Sequence, residues 1–411
     1  MPTLYPRYLR PLLLEALADT RVVFVAGARQ VGKTTLTREV ASGEHPMTIS
    51  SLDEAATRGA ASRDPAGFLA ALAKPALIDE IQHVPELLLE IKSAVDRDTT
   101  PGRFLLTGSA NILTSKRVLD ALTGSIETLN LFPLAPSEIQ GGQLNLVDAL
   151  FASSPPQLGD CTVGRDAFVR LTAAGGYPEA LVRNGARRER WFESYIDSTL
   201  DLDLRDISDA IKVEEMPRLM RLIAAQAANL LSYRSAAARL GLSPETVKAY
   251  VGLLEQLFLV RRLTAWRPGL GAREASTPKI YLADTGLLAA LLGADETRIA
   301  LDDQLTGKIL ENFVAMEILK QLGWSTTRAR LYHYQRDRED VDLILERADG
   351  QIAAIEIKAR ATIGVRDYRW LIKLRERRGS RFAAGIVIHP REQTIPLGER
   401  LWALPIAALW A

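Results

Sequence analysis

The chain contains almost no cysteine. Cys161 is the single cysteine among 411 residues, which excludes an intramolecular disulfide and a cysteine-rich zinc site. A chain without disulfides is typical of a reducing compartment. The composition therefore predicts a cytoplasmic protein.

Long hydrophobic runs and an excess of one charge are also lacking. No run approaches the roughly 20 apolar residues that span a bilayer, and no apolar segment with a cleavage site follows the N-terminal Arg7 and Arg10. Lys plus Arg number 51 and Asp plus Glu number 50, so no global positive field attracts a polyanion. The sequence predicts no membrane partner, and any nucleic acid must be bound by a local basic patch.

Apolar sequence is present in the amount that several hydrophobic cores require. Hydrophobic residues make up 47% and charged residues 25% of the chain, as in ordinary globular proteins. From residue 21 to residue 139, short apolar runs alternate with amphipathic stretches, which predicts a parallel sheet with helices on both faces. Small residues and paired prolines over residues 152–159 predict a linker or surface loop. The predicted α/β chain has three domains, at residues 1–155, 162–275 and 276–411.

A complete phosphate-binding motif lies near the N-terminus. It follows the apolar run Val22 to Ala26 and precedes a helical stretch from Thr34 to Ala41, the context that a P-loop requires. Glycines let the backbone N–H groups turn toward phosphates at the positive end of a helix. Lys33 supplies a charge for the β and γ phosphates, and the Thr34 hydroxyl is suited to Mg²⁺. The residues predicted to bind ATP are Gly27, Ala28, Arg29, Gln30, Val31, Gly32, Lys33, Thr34 and Thr35.

Acidic residues end the apolar run Ala76 to Ile78. Asp79 is predicted to bind Mg²⁺ from a strand next to the P-loop, and Glu80 to orient or deprotonate the attacking water. A later run ends in small polar residues, of which Ser109 and Asn111 are suited to sensing the γ phosphate. An alternative interpretation is that these two side chains only cap the next helix.

The middle of the sequence, residues 162–275, is predicted to be helical. Ser243-Pro244 is typical of a helix start in which Ser caps and Pro occupies the first turn. The stretch from Tyr233 to Leu263 has helix-turn-helix spacing, which indicates either DNA binding or a winged-helix-like packing module. Glu245 opposes Lys248 on the second helix, so its surface is poorly suited to phosphates. Arginine clusters that either line a groove or solvate helix faces are Arg187, Arg188 and Arg190, and Arg261, Arg262 and Arg267.

A second α/β pattern occupies the C-terminal third. Predicted strands are Leu331 to Tyr334, Val341 to Glu346, Ile352 to Ile357 and Ala383 to Ile388, with a helix from Asp367 to Arg378.

Acidic residues and a lysine mark two of these strands. Asp342 opens one strand, Glu356 ends the next, and a three-residue hairpin loop would bring them opposite each other with Lys358 on the same face. Glu311, in the amphipathic stretch from Thr306 to Leu322, is a further candidate. Carboxylates that hold a metal and a lysine that activates water are what magnesium-assisted phosphodiester cleavage needs. The alternative is that these are solvated charges on an exposed strand face.

An ordered set of short motifs runs along nearly the whole chain. Its members are Gly27 to Thr35, Leu77 to Gln82, Leu106 to Ser109, Gly175 to Glu179, Arg205 to Ile207, Ala283 to Leu287, Val341-Asp342 and Ile355 to Lys358. This set resembles one family, the bacterial and archaeal AAA-type P-loop ATPases with an uncharacterised C-terminal domain of restriction-endonuclease-like fold. The resemblance implies an ATPase that uses ATP and Mg²⁺, followed by a nuclease-like domain with Asp342, Glu356 and Lys358 at its site.

The chain departs from that family pattern at Gly124-Ser125. Relatives usually carry an arginine after the glycine, and Arg117 is the candidate substitute. An arginine at the γ phosphate is worth roughly 10³ or more in rate, so hydrolysis is expected to be slow unless a neighbouring copy in a homo-oligomer supplies one.

Two functions are consistent with these features. The first is an ATP-dependent switch or motor whose nucleotide state repositions a nuclease-like domain on nucleic acid, with DNA expected rather than RNA. The second is a regulatory or signalling ATPase whose nuclease-like domain has become an inactive protein-binding module.

Overall fold

The computed structural model describes residues 4–109, 124–142, 145–152, 163–207, 213–267, 273, 276–360 and 362–410. The chain divides into two compact units. The first unit comprises Met1–Pro133, Ser198–Val213 and Gly252–Leu259, and the second comprises Leu134–Asp197, Glu214–Val251 and Val260–Ala411. The bounds predicted for three domains remain predictions.

The first unit contains a five-stranded parallel sheet. Its strands are β1 Val22–Ala26, β2 Thr48–Ser51, β3 Ala76–Asp79, β4 Phe104–Gly108 and β5 Ile126–Asn130. Their order is β2-β3-β4-β1-β5, and all neighbouring pairs are parallel. The helices are α1 Leu9–Asp19, α2 Lys33–Ser42, α3 Ala55–Arg63, α4 Pro65–Ala71 and α5 Leu87–Arg97.

Burial explains which of these strands the sequence could predict. The central strands β1, β3 and β4 are buried at every residue, as strands covered on both faces are, and each is an apolar run. The edge strands β2 and β5 are partly exposed and lack such a run, and sequence analysis missed both. Asp79 ends β3, as predicted, and β4 lies between β3 and the P-loop strand β1.

The following segment combines helices with a small sheet. Its helices are α6 Pro136–Gln140, α7 Leu146–Leu150, α8 Arg165–Ala174, α9 Pro178–Leu181, α10 Gly185–Ile207, α11 Met216–Ala225, α12 Tyr233–Leu240, α13 Pro244–Gln256, α14 Thr285–Leu291 and α15 Glu296–Leu301. The strands β6 Asn229–Leu230, β7 Val260–Leu263 and β8 Lys279–Leu282 form an antiparallel sheet in the order β6-β8-β7. These short strands were not predicted, and β6 and β7 lie within the stretch that was predicted to be helical.

The predicted turn between α12 and α13 is confirmed. Gly241 has a φ of 68°, the left-handed conformation that ends a helix and favours glycine. The Ser243 hydroxyl accepts a hydrogen bond from the Thr246 N–H at 3.0 Å, so serine caps α13 and Pro244 follows in the first turn.

The C-terminal part is built on a six-stranded mixed sheet. After α16 Asp303–Leu322 come β9 Ala329–Arg336, β10 Glu339–Arg347, β11 Ile352–Ile357, α17 Val365–Arg378, β12 Phe382–His389, β13 Ile395–Gly398 and β14 Leu401–Pro405. The order is β13-β14-β12-β11-β10-β9. The four predicted strands and the helix are confirmed, whereas β13 and β14 were missed. The predicted α/β fold class is confirmed, with a helix-rich, mixed middle segment. Within the described residues, no helix has the length and apolarity that crossing a membrane requires.

Candidate functional site

The phosphate-binding loop connects β1 to α2. Gln30 and Gly32 have φ angles of 61° and 98°, so the loop uses left-handed backbone at both positions. A Cβ at Gly27 would lie 2.2 Å from the Leu131 carbonyl oxygen, which requires glycine there. Two N-terminal hydrogen bonds brace the loop, because the Arg7 guanidinium donates to the carbonyls of Val31 at 3.0 Å and Phe132 at 2.6 Å. Arg7 was not identified as part of this site from the sequence.

The P-loop lysine is held inside this loop. Lys33 is only 4% exposed, and its ammonium donates to the Gly27 and Ala28 carbonyls at 3.1 and 3.0 Å. The same ammonium lies 3.8 Å from a Glu80 carboxylate oxygen. A positive charge therefore lies between the loop and Glu80, the acid that follows β3. Other residues predicted to bind ATP, all in the loop or the first turn of α2, are Ala28, Arg29, Gln30, Val31, Gly32 and Thr35.

Thr34 of α2 and Asp79 of β3 meet although β4 lies between β1 and β3. The Thr34 hydroxyl donates to the two Asp79 carboxylate oxygens at 3.0 and 3.2 Å. Thr107, on the intervening β4, donates to Asp79 Oδ1 at 2.5 Å. One hydroxyl and one carboxylate at the positive end of α2 are the hard oxygen donors that Mg²⁺ prefers. These two residues therefore fit the predicted magnesium position.

Glu80 adopts an unusual backbone conformation. Its φ is 56°, which places a non-glycine residue in the left-handed region, a conformation often found at functional sites. Its N–H donates to the Thr107 hydroxyl at 3.0 Å, which fixes this turn. Burial raises the pKa of Glu80, but the Lys33 ammonium and the Gln82 amide outweigh burial, and the pKa lies below its usual value. The carboxylate is therefore anionic at neutral pH, as a water-activating group must be.

Gln82 connects Glu80 to Ser109. Its amide nitrogen donates to Glu80 Oε2 at 2.5 Å and to the Ser109 hydroxyl at 3.0 Å. Ser109 is 1% exposed at the end of β4. Sequence analysis quoted Gln82 within a family motif but assigned it no role; its signal was the position two residues after the catalytic candidate. Asn111 and Arg117, the other predicted catalytic residues, lie outside the described residues.

In the second unit, β10 and β11 bring together the predicted acidic residues. Leu343 lies opposite Ile355, a register that places Asp342 opposite Glu356, and Asp342 Oδ2 accepts the Ile357 N–H at 2.8 Å. The loop is the expected three residues, since the Arg347 N–H donates to the Gln351 carbonyl at 2.9 Å. The expectation that Asp342 opens its strand is wrong, because β10 begins three residues earlier; polar Glu339 and Asp340 hid that start.

Lys358 lies beside Glu356. Its ammonium donates to Glu356 Oε1 at 2.5 Å, and its N–H donates to the Ile388 carbonyl on β12 at 2.9 Å. Burial and the neighbouring Asp342 charge raise the pKa of Glu356 to about 8 despite this lysine. Protonation of Glu356 is therefore favoured over that of an ordinary glutamate.

Glu311 joins these residues from α16. Glu311 Oε1 accepts hydrogen bonds from the Lys279 ammonium at 2.8 Å and the Tyr281 hydroxyl at 3.1 Å. Lys279 also lies 3.8 Å from Asp342 Oδ1, so one buried ammonium bridges two carboxylates. Burial and Asp342 raise the pKa of Glu311 to about 7. We call Lys279, Glu311, Asp342, Glu356 and Lys358 the carboxylate cluster.

Lys279 and Tyr281 were missed because they belong to no recognisable motif. Both lie on β8, two residues apart and therefore on one face, whereas the predicted residues come from α16, β10 and β11. All four residues of β8 are buried. The signal in the sequence was a lysine in a short strand of otherwise apolar and aromatic residues, because a buried lysine requires an acidic partner.

The cluster offers fewer metal-binding side chains than the sequence predicted. Among the residues that the structure describes, no group of three or more His, Cys, Asp or Glu side chains is placed to hold a metal ion. Lys279 occupies the position between Glu311 and Asp342 instead. Asp342 and Glu356 remain as a facing pair of carboxylates.

Two further motifs of the resemblance meet in a structural junction. The Gly176 N–H and the Leu287 N–H donate to the buried Asp284 carboxylate at 2.7 and 2.9 Å. A Cβ at Gly175 would lie 2.3 Å from Asp284 Oδ1, which explains the glycine. This junction connects α8 to α14 and lines no part of either candidate site.

Comparison with family models divides the chain into three matches. A model described as an AAA domain matches residues 19–140, which confirms the predicted AAA-type P-loop domain. Models described as domains of unknown function, DUF8612 and DUF4143, match residues 165–298 and 306–409. The restriction-endonuclease-like character of the C-terminal part stays a prediction.

Among solved structures, three similarities are representative. The Walker-type ATPase PABY2304 of Pyrococcus abyssi has a TM-score of 0.44 at 16% identity, covering 70% of this chain and 96% of that chain. A RuvB variant of Thermotoga maritima has a TM-score of 0.28 at 18% identity, covering 62% and 86%. AMPPCP-bound DnaA from Aquifex aeolicus has a TM-score of 0.29 at 13% identity, covering 60% and 86%.

Two relatives extend over nearly the whole sequence. The uncharacterized proteins Mb2031c of Mycobacterium bovis and Rv2008c of Mycobacterium tuberculosis are each 31% identical over 399 residues, which is 96% of this chain and 82% of each relative. The chain belongs to the same family as these two mycobacterial proteins, and its N-terminal domain is a P-loop ATPase domain of the AAA type.

Proposed function

We propose that this protein is a magnesium-dependent ATPase whose nucleotide state controls a C-terminal nuclease-like domain that acts on nucleic acid. The observation that carries the proposal is the convergence of Lys33, Thr34, Asp79 and Glu80 at one end of the parallel sheet. The site then contains a positive charge for the phosphates, a pair of residues for Mg²⁺ and an anionic base.

The hydrolytic roles follow from the contacts. Thr34 and Asp79 would hold Mg²⁺, which supplies charge neutralisation at the phosphates when bound. Lys33 exchanges its loop carbonyl partners for phosphate oxygens, and Glu80 takes a proton from the attacking water. Gln82 keeps Glu80 and Ser109 in one hydrogen-bonded unit, so a phosphate bound at Ser109 would shift the base.

The arginine that completes such a site is where the chain departs from the family pattern. Ser125 stands at the position where family members carry arginine, and Arg117 or an arginine from a second copy is the proposed substitute. We expect tight nucleotide binding and slow turnover in the isolated chain.

The nuclease-like assignment rests on the C-terminal strands and their charges. The order β9, β10, β11, α17, β12 supports a restriction-endonuclease-like core. Asp342 and Glu356 face each other, and Lys358 contacts Glu356, as an acidic pair with a water-activating lysine requires. Glu311 is a weaker member, because Lys279 and Tyr281 already occupy its carboxylate.

That occupied carboxylate supports a second candidate function. A buried lysine that neutralises two acids lets the cluster persist without a metal ion, as expected of an inactive, protein-binding module in a regulatory ATPase.

Cleavage assays decide between the two. Labelled single-stranded and double-stranded DNA and RNA are incubated with the full chain, Mg²⁺ or Mn²⁺, and ATP, ADP or no nucleotide. Asp303 is an exposed acid of α16, so D303A is the control. Cleavage by the wild type and D303A, together with no cleavage by D342A, would establish the nuclease. If no polynucleotide is cut under any nucleotide condition, the nuclease function is rejected and the regulatory function remains.

A further inference from the structure

Helix α17 is strongly basic in a chain of nearly balanced charge. Six of its residues are Arg or Lys and two are acidic, whereas the whole chain has a net charge of +1. One of the acids, Asp367, is buried and paired with Arg360 at the start of the helix. The solvent therefore meets a local excess of positive charge.

The helical period separates this charge from the core. Leu371 and Leu374 are buried, and α17 packs against β10, β11 and β12. On the opposite face lie Arg366, Arg369 and Lys373, and partly buried Trp370 lies at the edge of that face, where it also packs against the core; we call these four residues the basic stripe. With Arg377 one turn further, the face extends for about 16 Å, or roughly five nucleotide steps of 3.4 Å.

Trp370 forms a flat platform between two cations. The Arg369 guanidinium and the Lys373 ammonium each lie 4.5 Å from its ring centroid. Within the described residues, Arg366, Arg369 and Lys373 are exposed and enter no ion pair, whereas Arg377 is paired with Glu339. Exposed cations beside a partly exposed indole are typical of surfaces that bind single-stranded nucleic acid, in which phosphates bind cations and bases stack on aromatic rings.

The chain leads from the carboxylate cluster into this stripe. β11 ends beside Glu356 and Lys358, Arg360 follows, and its ion pair with Asp367 fixes the segment against α17. Because α17 also packs against β11, the stripe and the acidic pair belong to neighbouring elements. The cations would also offset the repulsion between phosphates and carboxylates.

Arg188 and Arg262, members of the other basic clusters, are used within the fold. Arg188 donates to the Ala180 and Arg183 carbonyls, and Arg262 donates to the Tyr233 hydroxyl. Their side chains support helix packing, so they offer less free charge than the stripe.

We propose that the basic stripe of α17 binds the backbone of single-stranded nucleic acid, with Arg366, Arg369 and Lys373 on phosphates and Trp370 stacked on a base. The inference rests on the proposed function in that it names where the nucleic acid of that function binds. DNA is the expected substrate, and RNA shares the phosphate chemistry.

Binding is measured with the full chain in EDTA, by fluorescence anisotropy of a short labelled single-stranded DNA at several salt concentrations. We expect the triple variant R366Q/R369Q/K373Q to bind about 10- to 100-fold more weakly. The slope of log affinity against log salt should fall by about 2, because three single-strand phosphate contacts are lost. W370A should weaken binding about 10-fold while leaving that slope unchanged.

A matched control is available in the same unit. Arg234, Arg239 and Lys248 are exposed on α12 and α13, and R234Q/R239Q/K248Q removes the same charges from the helix-turn-helix-like pair. We expect this variant to bind like the wild type. Affinity that is lost in the control and retained in the α17 variant would overturn the proposal and make the helix pair the interface.

Further comparisons separate the possible ligands. An RNA of the same sequence that binds through the stripe supports the shared backbone chemistry. If vesicles containing phosphatidylserine bind through the stripe and DNA does not, the surface is membrane-binding and the proposal is wrong. Stripe-dependent binding without cleavage would leave this inference standing while the nuclease function fails. If the triple variant cleaves and binds nucleic acid like the wild type, this inference fails while the nuclease function stands.

Discussion

The nucleotide site and the carboxylate cluster are built in opposite ways. The first takes its loop, its lysine and the hydroxyl proposed to bind Mg²⁺ from one uninterrupted stretch, Gly27 to Thr34, and adds acids from one strand end. The second joins β8, α16, β10 and β11, with Lys279 separated from its partner Glu311 by 32 residues. The first site is thus supported mainly by its own loop, while the second also holds elements of its unit together.

This difference predicts different consequences of mutation. Changes in the nucleotide site should alter chemistry and leave stability intact. Changes in the carboxylate cluster should alter stability and leave ATP hydrolysis largely intact. All six tryptophans, at positions 191, 266, 324, 370, 402 and 410, belong to the second unit, so tryptophan fluorescence reports unfolding of that unit alone.

The largest effect is expected for E80Q. Glutamine keeps the shape of the side chain but cannot take a proton, so turnover should fall by about 10²- to 10⁴-fold while ATP binding is retained. Steady-state phosphate release and ATP affinity by calorimetry measure the two. E86Q, at an exposed acid before α5, is the control. Wild-type turnover in E80Q would reassign the base.

K279M should give the largest loss of stability. It leaves Glu311 and Asp342 buried without their ammonium, which costs about 3 kcal/mol. The urea midpoint followed by tryptophan fluorescence should fall, and K279M/E311Q should recover part of the loss because one carboxylate charge is removed. K248M, on the exposed face of α13, should have no effect. A K279M protein as stable as the wild type would contradict the bracing role.

Q82A tests the connection between Glu80 and Ser109. We expect kcat to fall about 10-fold with little change in ATP affinity, because the base loses its orienting amide and keeps its charge. A variant that lowered ATP affinity and left kcat unchanged would place Gln82 in nucleotide binding instead.

The smallest effect concerns pH. The folded-state pKa of Glu356 is about 8, above its ordinary value of 4.5. Its contribution to stability is therefore fully present below pH 4.5 and is lost as the pH rises from there through 8. E356Q does not titrate, and its unfolding free energy should fall less steeply between about pH 5 and about pH 9, by on the order of 1–3 kcal/mol. Urea unfolding in EDTA measures the slope, with E376Q on the surface of α17 as control. Equal slopes would show that Glu356 is not protonated in the folded protein.

The same contrast explains what the sequence could predict. Val22 to Ala26 and Phe104 to Leu106 are fully buried apolar runs, so the central strands and the P-loop between β1 and α2 were identified. Strand order has no local signal, which is why the position of β4 was missed. In the cluster, one short hairpin sufficed to pair Asp342 with Glu356. Lys279 could not be found, since its partner is defined only by tertiary folding.

The strand β8 has a practical consequence for work on fragments. It pairs with β6 and β7 in the small sheet while presenting Lys279 and Tyr281 to Glu311 on α16. A C-terminal fragment that starts at α16 would contain all four acidic and basic residues expected from the sequence, yet Glu311 would have lost both of its donors. Metal affinity measured on such a fragment would describe a Glu311 carboxylate without its native hydrogen-bond donors rather than the protein. A C-terminal fragment should therefore start before β6.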